Sequence, residues 1–292
     1  MSRIHEALKK AEQERAAGAG QPSLVVGDGA DDAVVAAVLP DLPGSLGLDA
    51  LLARSAHREW KPDAATMLFM NGGDGARGTE EFRTLRSRLY HVRESMALKK
   101  ILVTSALPQE GKSFTAANLA QVLVRQHGRR ALLIDADLRA PRLHAMLGTA
   151  SDPGLSDYLQ GKYDELTIMQ RGPLENLFFI PSGTGVADPA ELVGNGRLKV
   201  LLQRVETLFD WIIIDSPPAV PVSDASVMAK DCDGVLMVVR ANVTPYDLAR
   251  KAREQFPETA LIGLVLNGTN DGAVPYSRYY YEAYQKKGAG KD

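Results

Sequence analysis

The sequence predicts an α/β fold: a mainly parallel sheet with helices on both faces. From residue 99 onward, short apolar and β-branched runs alternate with stretches of helical periodicity. Such alternation implies right-handed βαβ units and strands buried on both sides. The first run, 101–104, leads into Ala106-x-x-x-x-Gly111-Lys112-Ser113 and then into a helical pattern. Strand, Gly-Lys-Ser loop and helix in that order are the pattern of a phosphate-binding loop. Two further runs, 131–135 and 211–215, each end on an aspartate, Asp135 and Asp215. In parallel sheets ligands collect at the carboxyl ends of the strands.

Composition narrows the function classes. The chain has 292 residues, a net charge of −2 and a pI near 6.2, which argues against a general nucleic-acid binder. Cys232 is the sole cysteine, so no internal disulfide is expected, as suits a reducing cytosol. No run of apolar residues is long enough to span a membrane. The start, Met1-Ser-Arg-Ile-His-Glu, is charged and does not read as a secretory signal.

Taken in order, residues 1–17 hold an amphipathic helix, with Ile4, Ala7, Leu8 and Ala11 on one narrow face, Ser2 as N-cap, and Gly18 and Gly20 beyond its end. It is either a fraying solvated helix, since so short a helix is marginal alone, or a docking element. Residues 18–76, rich in Gly, Ala, Asp and Pro, read as an irregular linker with apolar islands at 34–39 and 67–69. A helix over 79–92 carries the stripe Phe82, Leu85 and Leu89. On its adjacent face Glu80, Arg83 and Arg86 stand three apart, which suits a solvated surface or a subunit contact. Strands are expected at 101–104, 130–134, 177–180, 211–215, 234–239 and 261–266. Helices are expected at 113–126, 139–147, 189–208, 224–230 and 245–255. Beyond 270 the pattern dissolves into a flexible tail over 271–292, which bears Tyr276, Tyr279, Tyr280, Tyr281 and Tyr284. A tyrosine cluster on a tail attached to a nucleotide site suggests that the tail is a substrate.

The loop and the acids define the expected chemistry. Backbone N–H groups of Pro108-Gln109-Glu110-Gly111-Lys112-Ser113-Phe114 and the following helix N-terminus face a polyphosphate, proline itself lacking the N–H. Gly111 permits close approach, Lys112 reaches the β and γ phosphates, and the Ser113 hydroxyl suits Mg²⁺. Ala106 stands where the general pattern has Gly. Mg²⁺ takes hard oxygen ligands and keeps several waters, so Ser113 with Asp135 and Asp215 would serve it. No Gly-x-Gly-x-x-Gly follows the first strand, so ATP is expected rather than a dinucleotide. Asn267, ending the last strand, either reads an adenine edge or belongs to a turn with Gly268. A tyrosine hydroxyl, with a pKa near 10, attacks poorly without a base. Asp137 is placed to accept its proton, with Lys112 and Asp135 supporting the transfer.

Over residues 79–284 the chain resembles the bacterial tyrosine kinases (BY-kinases), P-loop proteins of the MinD/ParA-like group that regulate capsule and exopolysaccharide synthesis. The resemblance rests on Glu80-x-x-Arg83-x-x-Arg86, on Ser105-Ala-Leu-Pro-Gln-Glu-Gly-Lys-Ser113 (Walker A), and on Leu133-Ile-Asp-Ala-Asp-Leu-Arg139 (Walker A′). It also rests on Ile212-Ile-Ile-Asp-Ser-Pro-Pro218 (Walker B) and on the tyrosine cluster. Ala106 is usual in that family. Residues 187–192 look like its Asn-Pro-x-Glu-Leu motif, with Asp188 in place of Asn, and residues 2–12 look like the leader of its exopolysaccharide- and exosortase-associated subgroup. The resemblance implies a kinase domain over 77–270 that binds ATP and Mg²⁺, with Arg139 among the nucleotide-site residues. It further implies autophosphorylation of the tail between subunits of a ring-shaped homo-oligomer held partly by Glu80, Arg83 and Arg86. The implied partners are a separate membrane chain-length regulator (a polysaccharide co-polymerase) as activator and a cognate tyrosine phosphatase. The implied location is the cytoplasm, with recruitment to the inner face of the plasma membrane. Two rival readings are a MinD/ParA-like ATPase switch and a non-catalytic ATP-binding adaptor of the polysaccharide machinery. The first group carries an extra lysine where this chain has Leu107.

Overall fold

In a computed structural model of the protein, residues 47–70 and 78–269 are described. The described residues all fall within one compact unit, Gly44–Asp292. The expected helix over 1–17, the linker over 18–46 and the tail over 271–292 lie outside the described residues.

The described elements are, in order, α1 (Leu48–Arg54), β1 (Ala56–His57), α2 (Thr79–Ser95), β2 (Lys100–Ser105), α3 (Lys112–Val124), β3 (Ala131–Asp135), α4 (Leu143–Leu147), α5 (Leu155–Leu159), β4 (Gln170–Arg171), β5 (Leu177–Ile180), α6 (Pro189–Gly194), α7 (Arg197–Val205), β6 (Trp211–Asp215), α8 (Asp224–Met228), β7 (Gly234–Arg240), α9 (Tyr246–Arg253) and β8 (Leu261–Asn267). They form one sheet in the order β1-β4-β5-β3-β6-β2-β7-β8. Every neighbouring pair is parallel except β4 with β5. The doubly covered parallel sheet expected from the alternation is present. The short β1 and β4, too brief to show a period, were not anticipated.

Strand alternation sorts the core into two layers. Leu102, Leu132, Ile134, Ile212 and Ile214 point to one cluster, with Leu201, Leu202 and Phe209 from the helical side. Ile101, Val103, Leu133, Trp211 and Ile213 point to the other, with Phe82 and Leu89 of α2 and Leu119 and Leu123 of α3. Burying each such side chain stabilises by about 1.5–3 kcal/mol. β3 and β6 are buried along their whole length, so polar groups at their ends are found at the rim of the core rather than in solvent.

Two helical expectations change in detail. The stretch 189–208 is broken into α6 and α7, because Gly196 adopts φ +82°, a left-handed conformation that ends one helix and starts another. The stretch 139–147 begins only at Leu143, since the preceding backbone turns around Asp135 and Asp137. Asp188 caps α6 by accepting from the Glu191 N–H at 3.2 Å. Asp and Asn cap about equally well, so the departure from the family's Asn leaves the cap intact.

Residues 47–70 differ most from the irregular linker expected there. They form α1, which buries Leu51, then β1, and then a strap that buries Trp60, Met67 and Phe69. The strap has no period because its backbone bonds go to other elements. The N–H groups of Ala56, Arg58, Lys61 and Asp63 donate to the carbonyls of Met169, Arg171, Gly148 and Met146. At its end the strap grips α3: Leu68 N–H donates to Asn118 Oδ1 at 2.8 Å, Asn118 Nδ2 donates to Thr66 O at 2.8 Å, and Arg125 Nη2 donates to Phe69 O at 2.7 Å. The adhesive island expected at 67–69 is thus the part that touches the helix of the phosphate loop. Asn118→Ala should leave two backbone groups of the strap unpaired, at about 1–3 kcal/mol each. The expected loss is about 2–4 kcal/mol in urea unfolding, and a change below about 0.5 kcal/mol would show that the strap holds without this amide.

Candidate nucleotide-binding site

The loop between β2 and α3 opens at the carboxyl rim of the sheet, beside the ends of β3, β6 and β8. Gly111 has φ +95°, and a Cβ there would lie 2.0 Å from Asn267 Nδ2. Conformation and space therefore both demand glycine. Gln109 also has a positive φ, +63°. Ala106 is fully buried under the loop and packs in the core, where its methyl fits.

Lys112 begins α3 and is largely buried. Its Nζ lies 2.7 Å from Asp137 Oδ2, 3.3 Å from Ser113 Oγ and 3.8 Å from Asp215 Oδ1. Asp135 and Asp215 face one another in register on neighbouring parallel strands, both without solvent exposure. The acids divide their oxygens between structure and site. Asp137 Oδ1 accepts from Ala140 N–H at 3.0 Å and leaves Oδ2 for Lys112. Asp135 Oδ2 accepts from Leu143 N–H at 3.0 Å and leaves Oδ1 without a partner. Both Asp215 oxygens are buried without a hydrogen bond of normal geometry.

This arrangement is electrostatically unbalanced. Burial, then the nearby Asp215 charge, pushes the Asp135 carboxyl well above the usual carboxylate range, against the Leu143 N–H and Lys112. Burial likewise pushes Asp215 up to about 6, against the pull of Lys112 and Ser113. Burial works against the Lys112 ammonium, yet Asp215, Asp137 and Asp135 outweigh it and hold the lysine above its ordinary value.

The remaining expected residues fall into two groups. Pro108 and Gln109 are exposed at the loop tip. Phe114 turns its ring toward Phe82, with centroids 5.8 Å apart. Glu110 is buried, its carboxylate accepting from Leu107 N–H at 2.8 Å and from the Thr244 hydroxyl. Asn267 Nδ2 donates to Glu110 O at 2.8 Å. Arg139 makes a two-pronged pair with buried Asp224, Nε to Oδ2 at 2.8 Å and Nη2 to Oδ1 at 3.0 Å. Asp224 and Thr244 were not anticipated: the first reads as an ordinary residue of a helix's first turn and the second as a loop residue. On α2, Arg83 pairs with Glu80, while Arg86 Nη1 donates to Val122 O at 3.1 Å near the end of α3.

A divalent cation can be tested against these atoms. Three buried carboxylate oxygens without a hydrogen bond of normal geometry, beside the Ser113 hydroxyl, suit a hard cation. Among the described residues, no three His, Cys, Asp or Glu side chains converge into a closed cage. The fit is thus to an ion held by one or two carboxylates and a hydroxyl, with water and phosphate completing the shell, the habit of Mg²⁺.

A phosphate loop on a parallel sheet, with acids ending the adjacent strands, defines a P-loop nucleotide-binding protein. A family model described as an AAA domain matches residues 99–248. The chain is 34% identical over 192 residues to the tyrosine-protein kinase YwqD of Bacillus subtilis, covering 65% of this chain and 81% of that protein. It is 31% identical over 208 residues to the tyrosine-protein kinase Wzc of Salmonella typhimurium, where the match spans 70% of this chain and 29% of Wzc. The kinase domain of the Escherichia coli tyrosine kinase ETK superposes with a TM-score of 0.64 at 29% identity, covering 72% of this chain and 82% of that domain. The chain belongs to the bacterial tyrosine-protein kinases.

The charge imbalance has a measurable consequence. The folded pKa of Asp215 lies above the roughly 3.9 of an unfolded aspartate, so its ionisation destabilises the fold as pH rises through about 6. Asp215→Asn should therefore raise the melting temperature of the nucleotide-free protein at pH 7.5 by roughly 2–8 °C, from about 1–3 kcal/mol. The gain should fade below about pH 4, where the wild-type carboxyl is neutral in both states. An Asn variant that melts lower than wild type at pH 7.5 would show that Asp215 is stabilised in the fold by Lys112.

Proposed function

We propose that this protein is an ATP-dependent tyrosine autokinase that phosphorylates Tyr276, Tyr279, Tyr280, Tyr281 and Tyr284 of its own chain, between subunits, in the control of exopolysaccharide or capsule synthesis and export. The observation that carries the proposal is the Lys112–Asp137 ion pair at the mouth of the phosphate loop, beside Asp135 and Asp215 oxygens that lack hydrogen bonds of normal geometry. When phosphates enter, Lys112 has a stronger anion to meet and Asp137 Oδ2 is released. Asp137 then accepts the tyrosine proton as the phenolic oxygen bonds to the γ-phosphorus and the bond to the bridging oxygen of ADP breaks. Lys112 and the loop N–H groups hold the phosphoryl oxygens through the transfer. Ser113, Asp215 and Asp135 would hold Mg²⁺, which when bound neutralises charge on the β and γ phosphates. Arg139, tied to Asp224, secures the turn that carries Asp137.

The Glu80–Arg83 pair on the exposed side of α2 supports a subunit contact in a homo-oligomer. Arg86, bonded to Val122 O within the same chain, would contribute by fixing α2 against α3. The activator is a separate membrane-bound chain-length regulator, and the antagonist is a tyrosine phosphatase. Among the described residues no helix is long and apolar enough to cross a membrane. Recruitment to the inner face of the plasma membrane falls, in this reading, to the partner.

The test is incubation with radiolabelled ATP and detection of phosphotyrosine. Lys112→Ala and Asp137→Asn are each expected to lower phosphate transfer at least 100-fold, and replacing all five tail tyrosines with Phe should abolish self-labelling while sparing an added tyrosine peptide. Undiminished labelling in the Lys112 or Asp137 variant would remove the catalytic assignment. ATP hydrolysis with no phosphotyrosine at all would favour the ATPase-switch reading.

A further inference from the structure

Glu110 is a buried carboxylate inside a loop whose task is to bind an anion, and the kinase reading leaves it unexplained. Its environment is closed from several directions. Oε2 accepts from Leu107 N–H at 2.8 Å, and Oε1 accepts from the Thr244 hydroxyl. Thr244 Oγ1 in turn accepts from Arg240 N–H at 3.1 Å, so its proton is directed at Glu110. The turn that carries Thr244 is rooted on β7 and β8: Thr244 N–H donates to Arg240 O at 3.0 Å, and Ala241 N–H to Asn267 O at 2.8 Å. The same two strand ends hold the loop backbone, Asn267 Nδ2 on Glu110 O at 2.8 Å and Arg240 Nη1 on Gln109 O at 3.4 Å. Between these anchors Gln109 keeps its left-handed φ of +63°, a conformation that persists in a non-glycine residue only where the surroundings fix it.

We infer that Thr244 is a positioning residue for nucleotide binding: its hydroxyl keeps the Glu110 carboxylate turned away from the N–H groups that receive the phosphates. A buried carboxylate that loses a donor must find another. The nearest supply is solvent, reached only by opening the loop, or the loop's own N–H groups, which the polyphosphate needs. Without the Thr244 hydroxyl, Glu110 becomes an internal competitor of the substrate. The inference rests on the phosphate-loop reading but not on tyrosine as acceptor, since its readout is nucleotide affinity.

The experiment is titration of the full chain with a fluorescent ADP analogue in the presence of Mg²⁺. Thr244→Val should weaken binding about tenfold, and Thr244→Ser should stay within about threefold of wild type. Adding Glu110→Gln to Thr244→Val removes the competing charge and should restore affinity to within about threefold. With a tyrosine peptide as acceptor, Thr244→Val should raise KM for ATP about tenfold and leave kcat within about twofold, because the loop N–H groups hold the phosphates before and during transfer. Melting temperatures of all variants separate misfolding from the effect sought, and the double variant is informative even where Thr244→Val melts lower. Unchanged affinity in Thr244→Val, or failure of Glu110→Gln to restore it, would overturn the inference. Normal nucleotide affinity with no phosphotyrosine formed by the wild-type chain would instead count against the kinase reading.

Discussion

Asp135 and Asp215 end neighbouring parallel strands in register, and both are sealed from solvent. Two carboxylates so placed repel one another and lack hydration, and much of the local structure answers that problem. Lys112 supplies the nearest positive charge and is itself buried among Asp137, Asp215 and Ser113. Its position is fixed by Gly111, which in turn needs its left-handed φ and the absent Cβ to pass Asn267. The loop, three strand ends and the start of α3 are therefore tied to a single charge balance. In the chain alone that balance is incomplete, as the raised pKa values of both aspartates indicate. A site in this condition gives up stability that a bound counter-charge would restore.

The Walker A′ turn shows how one short segment serves two ends. Each of its aspartates gives one oxygen to a backbone N–H, Asp135 to Leu143 and Asp137 to Ala140, and keeps the other for the site. The geometry of the turn and the chemistry of its acids are thus inseparable. Asn at Asp137 would retain an oxygen for Ala140 while removing the charge that faces Lys112, so it is a cleaner probe of chemistry than Ala. Arg139 completes the turn from outside. Its rigid fork matches the buried Asp224 carboxylate, which joins the Walker A′ turn to α8 beyond the Walker B loop.

Much of this was legible in the sequence. Six strands were readable because short apolar runs need no tertiary context to be recognised, even at the edge, where Leu264 and Leu266 of β8 remain exposed, and Asp135, Asp215 and the Gly-Lys-Ser loop followed from where those runs stop. What escaped was structure whose cause lies elsewhere in the chain. The strap over 56–70 has no period because its partners are Met169, Arg171, Gly148 and Asn118. The break between α6 and α7 had a local signal, Gly194-Asn195-Gly196, overridden in the reading by the apolar spacing on either side. Glu110 was expected in the phosphate loop and Asn267 at an adenine edge or in a turn, but their sequence positions do not reveal that they bind each other. Thr244 and Asp224 carried no signal, since a hydroxyl or acid near a turn is ordinary until its partner is known.

The supply of positive charge sets a final constraint. Around the loop, Lys112 is bound by Asp137, Arg139 by Asp224, and Arg240 reaches a loop carbonyl. Against these stand the carboxyls of Asp135, Asp137 and Asp215. A nucleotide triphosphate brings several further negative charges into the same low-dielectric rim, where each uncompensated pair is costly. The loop N–H groups and the helix dipole offset only part of this. Binding must therefore bring compensating charge with the nucleotide, which a divalent cation seated on the unpartnered oxygens would do. Coupling would run in both directions: a cation held by Asp135 and Asp215 would relieve their repulsion, and a phosphate would draw Lys112 from Asp137. The side chain that pairs with Asp137 at the mouth of the site is thus the one that an incoming phosphate attracts, so the base role proposed for Asp137 is coupled to entry of the phosphate.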